Sequence, residues 1–158
     1  MTKSDLCKKA EELGYDYLSK QKTVSCAITV LLSIQEIFGP KDDLLLKAAS
    51  IMAGGSRSES FCGALAGGVL ALGMRCGLER EKFGDIDALI EGYQPIMEYY
   101  KKFEAEFGSR YCYEIIQADL SVPEQRQQWL DRGGWEACAK LAGKASGIVA
   151  DIMLNRGL

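Results

Sequence analysis

The sequence predicts an all-α fold, a compact single-domain bundle of about six to seven helices over residues 1–158. Three observations predict it. Apolar residues recur at helical spacing almost throughout, as at Leu6, Ala10, Leu13 and Tyr17. Capping and stop residues punctuate these runs at helix-length intervals. The length, with 47% apolar and 26% charged residues, suits one globular core, and no repeat or low-complexity linker divides it.

Taken in order, Ser4 is a good N-cap for the first helix. A second runs from about Ser25 to Phe38 and is closed by Gly39-Pro40, although Ile28-Thr29-Val30 has some strand character. Asp42 and Asp43 open a third, which ends at Gly54-Gly55. The loop 54–60 leads into a fourth, from about Phe61 to Cys76. The fifth begins near Asp85 and reaches Phe107, with Gly108 as its stop and Pro95 expected to kink or split it. Ser109 caps a short sixth helix, and Ser121 and Pro123 mark another start. The last helix runs from about Trp135 to Asn155.

Composition excludes several functions. A net charge of −3 without a basic run argues against nucleic acid or an anionic membrane surface as partner. The longest uncharged stretch, Ser60 to Met74, is too short and glycine-rich to insert in a bilayer, which needs roughly 20 apolar residues. The N-terminus has no apolar leader core, so a cytoplasmic address is expected. There, six cysteines serve as ligands, redox groups or core residues more readily than as disulfides. The chain has no histidine, which removes Ser-His-Asp and Cys-His catalysis, Cys₂His₂ zinc and Rieske-type ligation. Between an enzymatic and a non-catalytic role, which the residues leave open, the non-catalytic one is favoured.

The fourth helix carries Gly63, Gly67, Gly68 and Gly73, each costing about 1 kcal/mol against alanine. Either neighbouring helices pack closely there or a cofactor lies against the first turn. Tyr99, Tyr100, Tyr111 and Tyr113 form an aromatic group suited to core packing or a homodimer contact. Gly54-Gly55-Ser56-Arg57 reads as an ordinary loop more readily than as an anion site.

The cysteines are Cys7, Cys26, Cys62, Cys76, Cys112 and Cys138, and no pair has CxxC spacing. A shared site must therefore be assembled from distant segments. Cys26, Cys62, Cys112 and Cys138 each fall near the first turn of a predicted helix, where free N–H groups and the dipole favour thiolate. Four such ends pointing inward would suit an anionic Cys₄ cluster. Cys76 lies fourteen residues beyond Cys62 on the same helix, about 21 Å away, and cannot join it. Cys76 and Cys7 are read as core.

Cys62-Gly63-Ala64-Leu65-Ala66-Gly67 matches a CGAxxG motif, with one cysteine upstream in Ser25-Cys26-Ala27. Gly54-Gly55 precedes it, and Phe103 to Cys112 reads Phe-Glu-Ala-Glu-Phe-Gly-Ser-Arg-Tyr-Cys. With Cys138 last, residues of about 22–150 resemble the C-GCAxxG-C-C family, to which a redox role is ascribed. A similar domain accompanies the haem-binding part of split-Soret-type cytochromes, where it is associated with an iron centre. Cys7 and Cys76 stand outside the family pattern. The resemblance implies Cys26, Cys62, Cys112 and Cys138 as metal ligands.

The resulting expectation is an iron–sulfur cluster, [2Fe–2S] or [4Fe–4S], serving electron transfer or redox sensing with a partner protein of unknown identity. Ser60, Gly63 and nearby backbone N–H groups would donate hydrogen bonds to its sulfurs. Two rival readings stand beside it. One is a thiol–disulfide or persulfide carrier with Cys62 as nucleophile. The other is a structural Cys₄ zinc site.

Overall fold

Thr2, rather than Ser4, starts the first helix. Its hydroxyl accepts the Asp5 N–H at 3.1 Å while the Asp5 carboxylate accepts the Thr2 N–H at 2.8 Å, a capping box. In the structure, a computed structural model describing residues 1–158, α1 (Lys3–Ser19) follows. Ser25 caps α2 (Cys26–Phe38), its Oγ accepting from Ile28 N at 3.4 Å. The Ile28-Thr29-Val30 segment is helical, because burial of Thr29, Val30, Leu31 and Ile34 in the core outweighs its strand propensity; the Thr29 and Ser33 hydroxyls are satisfied by donating to the carbonyls four residues back.

Asp42 caps α3 (Asp43–Ala49), which stops short of the expected Gly54-Gly55. A 3₁₀ stretch begins at Ser50, and Ala53 is extended. Gly54, Gly55, Ser56 and Arg57 then all adopt left-handed backbone, with φ between 53° and 63°. Helix α4 (Gly63–Cys76) starts two residues later than expected, because Phe61 pairs with Tyr111 in an isolated antiparallel bridge.

Asp85 caps α5 (Ile86–Phe107), which ends on Gly108 at φ 79°. Pro95 does not split it. The ring is buried on the same face as Ile96, Tyr99 and Phe103, and this packing holds the helix through the lost hydrogen bond. Ser109 does not cap α6 (Cys112–Ile116). Tyr111 holds that position, and Ser109 Oγ accepts the Tyr111 N–H at 3.1 Å instead. Ser121 likewise turns to Asp119, and Pro123 is the first residue of α7 (Pro123–Asp131). Helix α8 (Gly134–Arg156) completes eight α-helices with no strand, more than the six or seven expected.

The core lies where α2, α4, α5 and α8 meet, around Leu31, Ile34, Leu65, Tyr99, Phe103 and Ile152. Two α4 glycines answer to packing: a β-carbon on Gly67 would overlap the Ala27 carbonyl, and one on Gly68 would overlap the Tyr99 ring. Tyr99 also donates its hydroxyl to the Ala64 carbonyl at 3.0 Å, tying α5 to the first turn of α4. No helix is long and apolar enough to cross a membrane.

Candidate redox site

Four chain segments deliver the candidate cysteines by different local devices. The Ser25 cap makes Cys26 the first residue of α2. The Phe61–Tyr111 bridge places Cys62 and Cys112 side by side: Cys62 N–H donates to Arg110 O at 2.7 Å, and Cys112 N–H to Ser60 O at 3.1 Å. The Phe61 and Tyr111 rings stack at 5.4 Å, and both are partly exposed. Cys62 is thus the N-cap of α4 and Cys112 the first residue of α6. Cys138 sits in the second turn of α8, which Gly133 starts from a left-handed conformation.

All four line one cavity of about 190 Å³. That is far more than the roughly 10–15 Å³ that holds one water. The other walls are mainly apolar, with Val24, Leu120, Trp129, Leu130, Trp135 and Leu141 among them. Arg57 and Arg126 are the charged residues there, and no carboxylate lines it. Trp135 is fixed by donating Nε1–H to Leu18 O at 2.9 Å and packs edge-on against Trp129. As the side chains stand, no three cysteine, aspartate or glutamate groups are arranged to hold a metal ion. The four thiols share one chamber rather than one point.

The helix-start positions suggest depressed thiol pKa values, and the structure shows the opposite. Burial pushes the Cys62 thiol well up, and the neighbouring Cys26 and Cys112 charges add to this against the N–H groups of Ala64 and Leu65. Burial raises Cys26 as well, although the N–H groups of Gly54, Ala27 and Ala64 face its sulfur. Cys112 is pushed up to about 11, by burial first and then by Cys26, with Arg57 opposing. Cys138 rises for the same two kinds of reason. Desolvation of a buried charge outweighs the half charge at a helix end.

Ser60 stands outside the cavity: its N–H goes to Gly55 O at 3.2 Å and its carbonyl to Cys112 N–H. Gly63 contributes by lacking a side chain, since a β-carbon there would overlap the Cys26 sulfur. The amides that do face sulfurs, at Gly54, Ala27, Ala64 and Leu65, belong to two helix starts and the glycine turn. Cys7 and Cys76 lie elsewhere. Cys76 donates its thiol to Leu72 O at the far end of α4, and Cys7 sits on α1 near Asp151 and Lys102. Trp129 and Trp135 carried no signal in the sequence as part of a site, and Arg57 belongs to the stretch 54–57 that reads there as an ordinary loop rather than an anion site.

A family model described as "Putative redox-active protein (C_GCAxxG_C_C)" matches residues 24–152. No curated protein and no solved structure matches the chain significantly.

Proposed function

The chain belongs to the C_GCAxxG_C_C family, described as redox-active, and from that premise we propose an iron–sulfur cluster as its redox centre, held by Cys26, Cys62, Cys112 and Cys138. One observation carries this reading: four cysteines from four separate segments line a single, otherwise largely apolar chamber containing no competing carboxylate. Such a cluster, [2Fe–2S] or [4Fe–4S], accepts and releases single electrons when bound.

The chain's own residues do the rest. Thiols kept protonated by burial and by one another favour thiolate once a positive core replaces their protons, so occupancy rises with pH. The amides of Gly54, Ala27 and Ala64 at Cys26, and of Ala64 and Leu65 at Cys62, donate to thiolate sulfur and stabilise negative charge there. The indoles and leucines give the chamber its apolar walls. Arg57 supplies a positive charge beside Cys112.

The carrier reading fares less well. A carrier nucleophile needs a depressed pKa and access, and Cys62 has a raised pKa and is 6% exposed. A structural zinc ion on the same four sulfurs would leave the protein colourless and without acid-labile sulfide, so the two metal readings part at the test below. The test is anaerobic reconstitution with ferrous iron and sulfide, followed by iron and acid-labile sulfide analysis and visible absorption. Coloured protein is expected, lost on Cys→Ser change at position 26, 62, 112 or 138 and kept on Cys7→Ser or Cys76→Ser. Colourless, iron-free wild-type protein overturns the proposal.

A further inference from the structure

Helix α5 is apolar on two opposite faces. Pro95, Ile96, Tyr99 and Phe103 enter the core. On the other side Ile86, Ile90, Tyr93 and Met97 are 49% to 64% exposed, and half-buried Tyr100 continues the row. These five positions follow the alternating four- and three-residue spacing of a two-helix seam. Exposed Phe83, three residues before Ile86, extends it. An amphipathic helix ordinarily carries one apolar stripe, turned to the core; α5 carries this second row as well, and nothing in the chain covers it.

The flank of this row indicates what does. Asp87, Gln94 and Lys101 follow Ile86, Tyr93 and Tyr100 by one residue each, so they form one exposed edge at seven-residue intervals. Neither Asp87 nor Lys101 makes an ion pair within the chain, whereas neighbouring Lys102 is held by Glu98 and Asp151. The edge is acidic at one end, neutral in the middle and basic at the other. Laid antiparallel on a copy of itself about Gln94, it sets Asp87 against Lys101 of the second copy, twice. In a parallel pair this edge would face the opposite flank of the partner's row, where Leu89, Ile96 and Phe103 stand, and Asp87 and Lys101 would find no opposite charge.

We infer that the outer face of α5 is a homodimer interface, in which the Ile86–Ile90–Tyr93–Met97–Tyr100 row packs antiparallel on the same row of a second chain. The occupant is a second copy because the charge pattern is complementary to its own reversal. The inference does not depend on what the cysteines bind.

Sedimentation equilibrium of the full chain is expected to give twice the 17.3 kDa chain mass. Ile90→Lys and Met97→Lys place a charge in the seam and are expected to give monomer with an unchanged far-ultraviolet circular dichroism spectrum, since both positions are exposed in the single chain. Asp87→Lys is expected to weaken the dimer by about tenfold through paired repulsion, and Asp87→Lys with Lys101→Asp to restore it. Monomeric wild-type protein overturns the inference, even if it binds lipid vesicles or another protein. So does a dimer that survives both seam variants, or a charge exchange that fails to restore association.

Discussion

Gly63 and Cys26 adjoin with no room between them: a β-carbon on residue 63 would overlap the Cys26 sulfur and also approach Met52 O to 2.9 Å. Gly63→Ala is therefore expected to destabilise the metal-free protein by about 1–3 kcal/mol through overpacking. At this chain length that is a fall in melting temperature of roughly 2–4 °C per kcal/mol. Gly73, on the same helix, has nothing within 4 Å of its missing β-carbon. Gly73→Ala is expected to stabilise by up to about 1 kcal/mol through helix propensity. Thermal unfolding of the two variants checks the pair, and equal effects would remove the special status of Gly63.

The raised thiol pKa values fix a pH dependence. Cys112 titrates near 11 when folded, against its ordinary value of 9.0. Between those values the unfolded chain has lost the proton and the folded chain has kept it, so the folded state binds more protons and stability falls as pH rises. Below pH 9 this contribution is fully present, and it is lost on passing toward 11. Cys26, Cys62 and Cys138 shift in the same direction. The melting temperature of metal-free protein is thus expected to drop across this window, and Cys112→Ser to make the drop shallower. A midpoint independent of pH there would show the thiols to be solvated.

Much of this arrangement is legible in the sequence, and the illegible parts have physical reasons. Helices α2, α5 and α8 are readable because their caps and stops, Ser25, Gly39, Asp85, Gly108 and Gly133, are local chemistry. Pro95 misleads, because local propensity says break and the burial of its ring is a tertiary fact. Ser109 misleads for a similar reason: a bridge to Phe61, some fifty positions away, makes Tyr111 the cap. The candidate cysteines are visible as a set through helix-start positions. Their pKa direction is not, because desolvation depends on walls such as Trp129 and Trp135 that only the fold supplies.

The bridge itself is testable. Phe61 and Tyr111 stack with 22° between their ring planes, and Tyr100 meets Phe61 edge-on at 6.0 Å. Tyr111→Ala removes the stacked partner and is expected to cost about 0.5–1.5 kcal/mol beyond lost burial. Because the bridge holds Cys62 beside Cys112, the variant is also expected to retain less iron after reconstitution than wild type. Tyr113→Ala, at an exposed tyrosine outside the bridge, is the control and is expected to retain iron normally. Iron loss equal in both variants would mean that the bridge does not position the pair.

The turn that walls the chamber carries backbone strain. Ser56, Arg57 and Glu59 all have φ between 53° and 56°, where a side chain costs roughly 1–2 kcal/mol that glycine avoids. Arg57 has a reason to stay, since its guanidinium donates to Leu120 O and faces the chamber. Glu59 has none: its side chain makes no hydrogen bond or ion pair and points to solvent. Glycine at 59 also loses more conformational freedom on folding, about 0.5–1 kcal/mol, which offsets part of the relief. Glu59→Gly is therefore expected to stabilise the protein by a net of up to about 1 kcal/mol. Ser58→Gly is expected to destabilise it, because Ser58 sits at φ −138° without strain and donates its hydroxyl to Ser56 O at 3.2 Å. Chemical denaturation of both variants reads the two signs. A loss of stability in Glu59→Gly would mean that the turn is unstrained and that Glu59 holds it by a contact of its own.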